Sequence, residues 1–330
     1  MWQNQSATKK VFKKNIVFPQ QKSKCQIMGW LFHDDTGTIK NGNYLMKNVT
    51  KRLLQKLLVN DITYKVFSGL NYVTDRLKAS RIDYKSALEY KRLREKADKI
   101  FEDRKIKNGL FKDLILSTEI KKDGSIYAML LGSFESEIHQ FIAEVVTRKY
   151  DEVINIGCAL GYYALGFAKL MPTASIKAYD SSEIALREAK NLAIKNNLDH
   201  RIEFFGTYSS SNLERSPKNI RTLYFVDCEG DEINIFTRKT LSKLLNSDLI
   251  IELHINKYPE LEEYFRDIFQ DSHDIQIANS YDDHLKAKYY SFPQLEGLDY
   301  TLKRFITEER DVFMQWIYLS AKSQVHVEPA

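Results

Sequence analysis

From Tyr150 onward the chain changes its hydrophobic rhythm repeatedly, and that alternation restricts the fold more than any other feature. The short apolar runs EVINIG, SIKAYD, RIEFFG, RTLYFVDC and DLIIELH are separated by stretches with helical spacing. YYALGFAKLM is one such stretch, ended by Pro172; in EIALREAKNLAIKNN, residues Ala185, Leu186, Ala189, Leu192 and Ala193 share a face. Asp231–Leu245 and Pro259–Phe269 also read as helical. Short apolar runs of this kind suit strands buried on both faces, and helical links between them give right-handed crossovers and a parallel sheet. The last two runs, HDIQIAN and VFMQWIYLSAK, have no clear helix between them and predict an antiparallel closure around an excursion from Ser280 to Asp311. The expected fold class is therefore α/β, with a Rossmann-like, mostly parallel seven-stranded sheet, an antiparallel last strand, and a mainly helical region in front.

Residues 1–129 differ in texture, and we expect a boundary between a helical region (1–129) and the α/β domain (130–330). Tyr44 to Lys107 reads helical: LMKNVTKRLLQKLL puts Leu45, Val49, Leu53, Leu54, Leu57 and Leu58 on one stripe. SALEYKRLREKADKIFEDRK has only a thin seam of Leu88, Leu93, Ala97 and Ile100, as a surface helix would. LGSFESEIHQFIAEVV, Leu131 to Val146, predicts a further amphipathic helix starting at Ser133 or Ser136. Residues 1–149 carry 29 Lys+Arg against 16 Asp+Glu, while the remaining 181 residues carry 20 against 28. Such a basic half is where a polyanion would bind, although its bases are interspersed with acids.

The longest uncharged stretch near the middle, Val153 to Ala168, is too short for a membrane span. The basic start MWQNQSATKKVFKKN lacks the apolar run of a signal peptide, so a cytoplasmic protein is expected. Cys25, Cys158 and Cys228 are far apart and form no C-x-x-C pair, which argues against a disulfide framework or a zinc site.

The turn after the first run reads Asn155-Ile-Gly157-Cys158-Ala159-Leu-Gly161-Tyr162. In open α/β sheets ligands bind beyond the carboxyl ends of the strands, where glycines admit them and a helix N-terminus offers free N–H groups. A dinucleotide fingerprint needs its last glycine five places after the first; here Gly157 and Gly161 are four apart. A phosphate loop would need G-K-[ST], which is absent. The second run ends in Asp180-Ser181, where a carboxylate can accept from both hydroxyls of a ribose; Asp180 and Glu183 also form a helix-capping pattern.

The G-x-[GA]-x-G spacing resembles motif I of class I S-adenosylmethionine-dependent methyltransferases. LLGSFESEIHQFI, VINIGCALGYYALG, YFVDCEGDE, LIIELH and TEERDVFMQWIYLSAK together resemble the FkbM-type branch of that class, over roughly Leu130 to Lys322. The resemblance implies methyl transfer from S-adenosylmethionine, commonly to a hydroxyl of a sugar or small metabolite. It places the cofactor on Asn155, Gly157, Cys158, Ala159, Gly161, Tyr162, Asp180, Ser181, Phe205, Gly206 and Asp227, with Glu135 near its amino end. Asn155 departs from the pattern, which often has an acid there; an amide still accepts a hydrogen bond.

Methyl transfer to a hydroxyl requires alignment and removal of a proton. Asp227, Glu229, Glu252 and His254 lie at the ends of the fourth and fifth runs, which adjacent strands would bring together. One reading makes His254 the general base, oriented by Glu252 or Asp227. Another uses Asp227, Glu229 and Glu252 as ligands of Mg²⁺, which would acidify the hydroxyl. A nucleic-acid methyltransferase, served by the basic N-terminal half, is the runner-up, although D-P-P-Y and N-P-P-Y are absent. A catalytically inactive binding module of the same fold is the third reading.

Overall fold

The computed structural model describes residues 61–116, 125–217, 219–310 and 312–322. Cys25 and the predicted stripe from Leu45 to Leu58 lie outside the described residues. The chain divides into two units, Met1–Tyr84 and Lys85–Ala330. In the first, residues 61–84 are helical and open helix α1 (Asp61–Ile100).

The second unit holds the sheet. Its strands are β1 (Glu152–Ile156), β2 (Ser175–Tyr179), β3 (Ile202–Phe205), β4 (Thr222–Val226), β5 (Asp248–Leu253), β6 (His273–Asn279) and β7 (Gln315–Ala321). They form one seven-stranded sheet in the order β3-β2-β1-β4-β5-β7-β6. The pairs from β3 to β5 are parallel, and β7 runs antiparallel to both β5 and β6. This is the architecture expected from the alternating runs.

Every residue of β1, β4 and β5 is buried, which explains why their runs are apolar throughout instead of alternating. Successive side chains still point to opposite faces. Val153, Leu223, Phe225, Ile250, Trp316 and Tyr318 enter one core, and Ile154, Ile156, Tyr224, Val226, Leu249 and Ile251 the other. α4 (Tyr162–Leu170) packs on the first face through Ala164, Leu165 and Phe167. α8 (Leu261–Phe269) packs on the second through Leu261, Phe265, Ile268 and Phe269. Between them in sequence lie α5 (Glu183–Lys195), α6 (Ser210–Arg215) and α7 (Glu232–Ile235).

Three elements differ from the sequence expectation. The predicted helix over Leu131–Val146 is broken into α2 (Ser125–Leu131), a 3-10 turn (Ser136–Ile138) and α3 (His139–Val145). At Gly132, φ is +86° and a Cβ would lie 2.1 Å from the Asn108 carbonyl oxygen, so the chain turns there instead of coiling on. The predicted helix over Asp231–Leu245 is reduced to α7 and a 3-10 turn at Leu241–Lys243. Thr240 is the cause: its Oγ1 accepts from Thr237 N at 2.9 Å and donates to Ile235 O at 3.2 Å, competing with the helical ladder. Finally, the excursion before β7 carries two helices, α9 (Asp283–Tyr289) and α10 (Tyr300–Thr307). Along α1 the thin apolar seam meets the core only from Leu93 onward, with Ala97 buried and Leu93 and Ile100 half-buried; Leu88 is exposed.

Candidate active site

At the carboxyl end of β1 the backbone turns sharply. Gly157 has φ +76°, and a Cβ on it would stand 1.6 Å from the carbonyl oxygen of Asp227. Gly157 N and Cys158 N both donate to Tyr179 O, at 2.8 and 2.9 Å, which ties the turn to β2. Ala159 holds the left-handed conformation at φ 44°, and Gly161 at φ 82° caps α4 with no side-chain cap. The first-turn N–H groups of α4 therefore keep their capacity to meet an acceptor.

Asp180 sits where β2 turns. Its Oδ2 accepts from Ala159 N and its Oδ1 from Ser182 N, each at 2.8 Å, and each oxygen retains a further lone pair. The cap of α5 falls to Ser182, whose hydroxyl accepts from Ala185 N at 3.2 Å, so Asp180 is not spent on capping that helix. Ser181 is exposed beside it. Phe205 at the end of β3 stacks on Tyr179 with ring centroids 4.9 Å apart, and Gly206 has open space around its Cα. The side chains of Cys158 and Tyr162 belong to the core. Asn155 is buried in β1; its Nδ2 donates to Phe225 O at 3.3 Å, while its Oδ1 has no partner among the described residues.

Beyond β4 and β5 lies a cavity of about 420 Å³ lined by Glu135, Ala159, Leu160, Asp227, Glu252, His254 and Arg310, among others. The parallel pairing of β4 with β5 brings the ends of YFVDC and IELH together, as expected. His254 is almost wholly buried, its Nδ1 2.9 Å from an oxygen of the fully buried Glu232. Its Nε2 faces Asp227 Oδ1 at 3.6 Å and Glu252 Oε2 and Glu229 Oε2 at 3.7 Å. Burial pulls the imidazole pKa down, but Glu232 and the other acids outweigh it and hold it above the ordinary value. For Glu232 burial acts upward, and His254 with the Glu232 and Cys228 backbone N–H groups brings the carboxyl below the ordinary range. Asp227 keeps 38% of its side-chain surface open. Its low-dielectric surroundings, then the adjacent Glu252, push its carboxyl well above the carboxylate range. Glu229, at φ 59° and 79% exposed, turns outward to Lys257 at 2.9 Å.

A second layer was not visible as a motif. Arg310 bridges Glu252 and Glu135 through separate guanidinium nitrogens. Glu135, at φ 49°, also accepts from the Tyr163 hydroxyl, and its N–H donates to Glu309 Oε2 at 3.1 Å. Burial pushes the Glu135 carboxyl up to about 8 against the pull of Arg310. Glu309 pairs in turn with the wholly buried Lys286 at 2.8 Å. Arg310 and Glu309 come from the segment TEERD, and Glu232 from DCEGDE; both segments carry the family resemblance, yet none of these three residues has a role in it.

The sheet order with its antiparallel β7 defines a Rossmann-like fold of the class I methyltransferase type. No family model and no curated protein matches the chain. Among solved structures it is similar to the bifunctional kinase-methyltransferase WbdD, at 16% identity and a TM-score of 0.37 over 56% of this chain. The chain spans only 38% of WbdD. It is also similar to MccD, at 17% identity and a TM-score of 0.34 over 57% of this chain and 97% of that one. For precorrin-6y C5,15-methyltransferase from Geobacter metallireducens GS-15 the identity is 11% and the TM-score 0.37, over 64% and 95% of the two chains. No helix among the described residues is long and apolar enough to cross a membrane.

Proposed function

We propose that the chain is an S-adenosylmethionine-dependent methyltransferase of the FkbM-like kind, acting on a hydroxyl of a sugar, glycan or small metabolite. The observation that carries this reading is the corner where the Gly157–Gly161 turn meets Asp180. There the carboxylate is held by Ala159 N and Ser182 N with acceptor capacity to spare, and the turn has no room for a side chain at Gly157. The residues fit the cofactor: Asp180 would take the ribose, Gly157 to Gly161 would pass beneath it, and Glu135 on the cavity wall would face its amino end. When bound, S-adenosylmethionine supplies a methyl carbon activated by its sulfonium sulfur.

The chain's own task is then to hold the acceptor in line and to receive its proton. Asp227, Glu252 and His254 form the polar wall for that step, and Asp227 is the most open of them. Burial and the adjacent Glu252 push its carboxyl pKa up, which makes its carboxylate form the stronger base. The cavity is lined by Glu135, Asp227, Glu229, Glu252 and Glu309, with Arg310 engaged by two of them. That charge favours a neutral hydroxyl compound over a nucleic-acid phosphate backbone as the acceptor.

Calorimetric titration with S-adenosylmethionine tests the reading. Saturable binding is expected, weakened in Asp180→Ala by about 1.5–3 kcal/mol, more than tenfold in Kd. Absence of binding, or equal binding in the variant, overturns it.

A further inference from the structure

We propose that Asp227, Glu252 and His254 bind a first-row divalent cation, Mn²⁺ in preference to Mg²⁺, with Nε2 of His254 as the nitrogen ligand. One donor atom from each of the three lies within 4.8 Å of the others. What distinguishes the group from an acidic cluster is its histidine. The ring is 4% exposed, and Glu232 stands 2.9 Å behind Nδ1, where its charge favours a proton on that nitrogen and a ligating role for the other. Nε2 is aimed at the carboxylates, and among the described residues it makes no hydrogen bond: Asp227 stops at 3.6 Å and Glu252 and Glu229 at 3.7 Å. Donors held about 2.0–2.2 Å from one ion are about 3–3.6 Å apart, so side-chain adjustments of roughly half an ångström bring His254 and each carboxylate onto one ion. A carboxylate behind a ligating imidazole is the usual support of such a site.

The second oxygen of Glu252 is already held by Arg310, which leaves Oε2 free to face inward. The Glu229 oxygen nearest Nε2 is already paired with Lys257 at 2.9 Å and its side chain is 79% exposed, so the nitrogen ligand replaces it in the all-carboxylate set expected from the sequence. One imidazole with two carboxylates suits Mn²⁺, whereas Mg²⁺ favours oxygen donors and its own water. Three protein ligands on a cavity wall leave open positions for substrate, as catalytic sites do.

The role of the ion rests on the methyl-transfer reading above; its binding does not. An acceptor hydroxyl on an open position loses its proton to the Asp227 oxygen not on the ion. The acceptor's own oxygen would then bond to the methyl carbon as the carbon–sulfur bond breaks and the sulfur leaves as a neutral thioether. His254 is a ligand in this scheme, and the proton goes elsewhere.

The test uses the full chain, stripped with chelator and titrated with Mn²⁺ alone, with no cofactor present. Electron paramagnetic resonance counts free Mn²⁺, and spin-echo modulation detects nitrogen on the bound ion. We expect one saturable site with ¹⁴N modulation, loss of that modulation and at least tenfold weaker binding in His254→Ala, and roughly 10–100-fold weakening in Glu232→Gln. No saturable binding below about 1 mM, bound Mn²⁺ without ¹⁴N modulation, or unchanged affinity in His254→Ala each overturns the proposal. Should His254→Ala fail to fold, Asp227→Asn at the more open position must show the same loss of affinity. Asp180→Ala retains the Mn²⁺ site, so failure of the ion and failure of the cofactor reading give separate signatures.

Discussion

At Gly157 the backbones of two strand ends approach so closely that one added carbon has nowhere to go. Gly157→Ala is expected to lower unfolding free energy by roughly 2–5 kcal/mol, because it combines a positive φ with a backbone overlap. Gly206 is the internal control: no atom lies within 4 Å of a Cβ built there, and Gly206→Ala should stay within about 0.5 kcal/mol in the same urea denaturation series. Glu135 supplies a pH effect. Its folded pKa of about 8 stands above the ordinary value of 4.5, so the native state holds a proton that the unfolded state releases. Its stabilising contribution is full below about pH 4.5 and is lost as pH rises through 8. Glu135→Gln should therefore flatten the fall in stability between pH 5.5 and 8.5; an unchanged slope would count against a raised carboxyl. Glu135 illustrates how a site residue hides. Its neighbours LGSFESEIHQ have helical spacing, and only a glycine pressed against Asn108 converts that stretch into a turn aimed at the cavity.

At the scale of elements, the central strands β1, β4 and β5 were legible as short apolar runs buried on both faces, and α4, α5 and α8 because each is long enough for its period to show and packs one face on a core. α9 and α10 were not: with seven and eight residues they offer barely two turns of pattern, and polar contacts help to seat them. Lys286 on α9 is the clearest of these, wholly buried between Asp283 at 3.1 Å and Glu309 at 2.8 Å. Lys286→Met would leave two carboxylates facing each other without a cation. We expect a loss of about 3–5 kcal/mol in chemical denaturation, and a loss below about 1 kcal/mol would show that the pair is dispensable. The helix lost after Asp231 has a comparable lesson. The Thr237–Thr240 hydrogen bonds end α7 after one turn, and that short element places Glu232 behind His254.

For the whole molecule, the sheet, both cores and every residue of the candidate site lie within Lys85–Ala330. A chain beginning at Lys85 should unfold cooperatively and bind S-adenosylmethionine with the Kd of the full chain, as a unit with its own core does. Loss of binding in that truncation would give residues 1–84 a part in the cofactor site. The charge division was plain in the sequence, whereas the acid-lined cavity was only half visible: its acids come from four distant segments that the strand order brings together. Arg310 closes that assembly from the far side of the excursion, joining Glu135 and Glu252 across the cavity wall. The 281–309 insert that ends there is also part of the body of the domain, with Leu295, Leu302, Phe305 and Ile306 in the core, so its core-facing positions and Arg310 are a fixed frame. On the methyl-transfer reading, the exposed positions within that frame, Tyr281, Leu285 and Tyr289 among them, are the ones to vary when a different acceptor is sought.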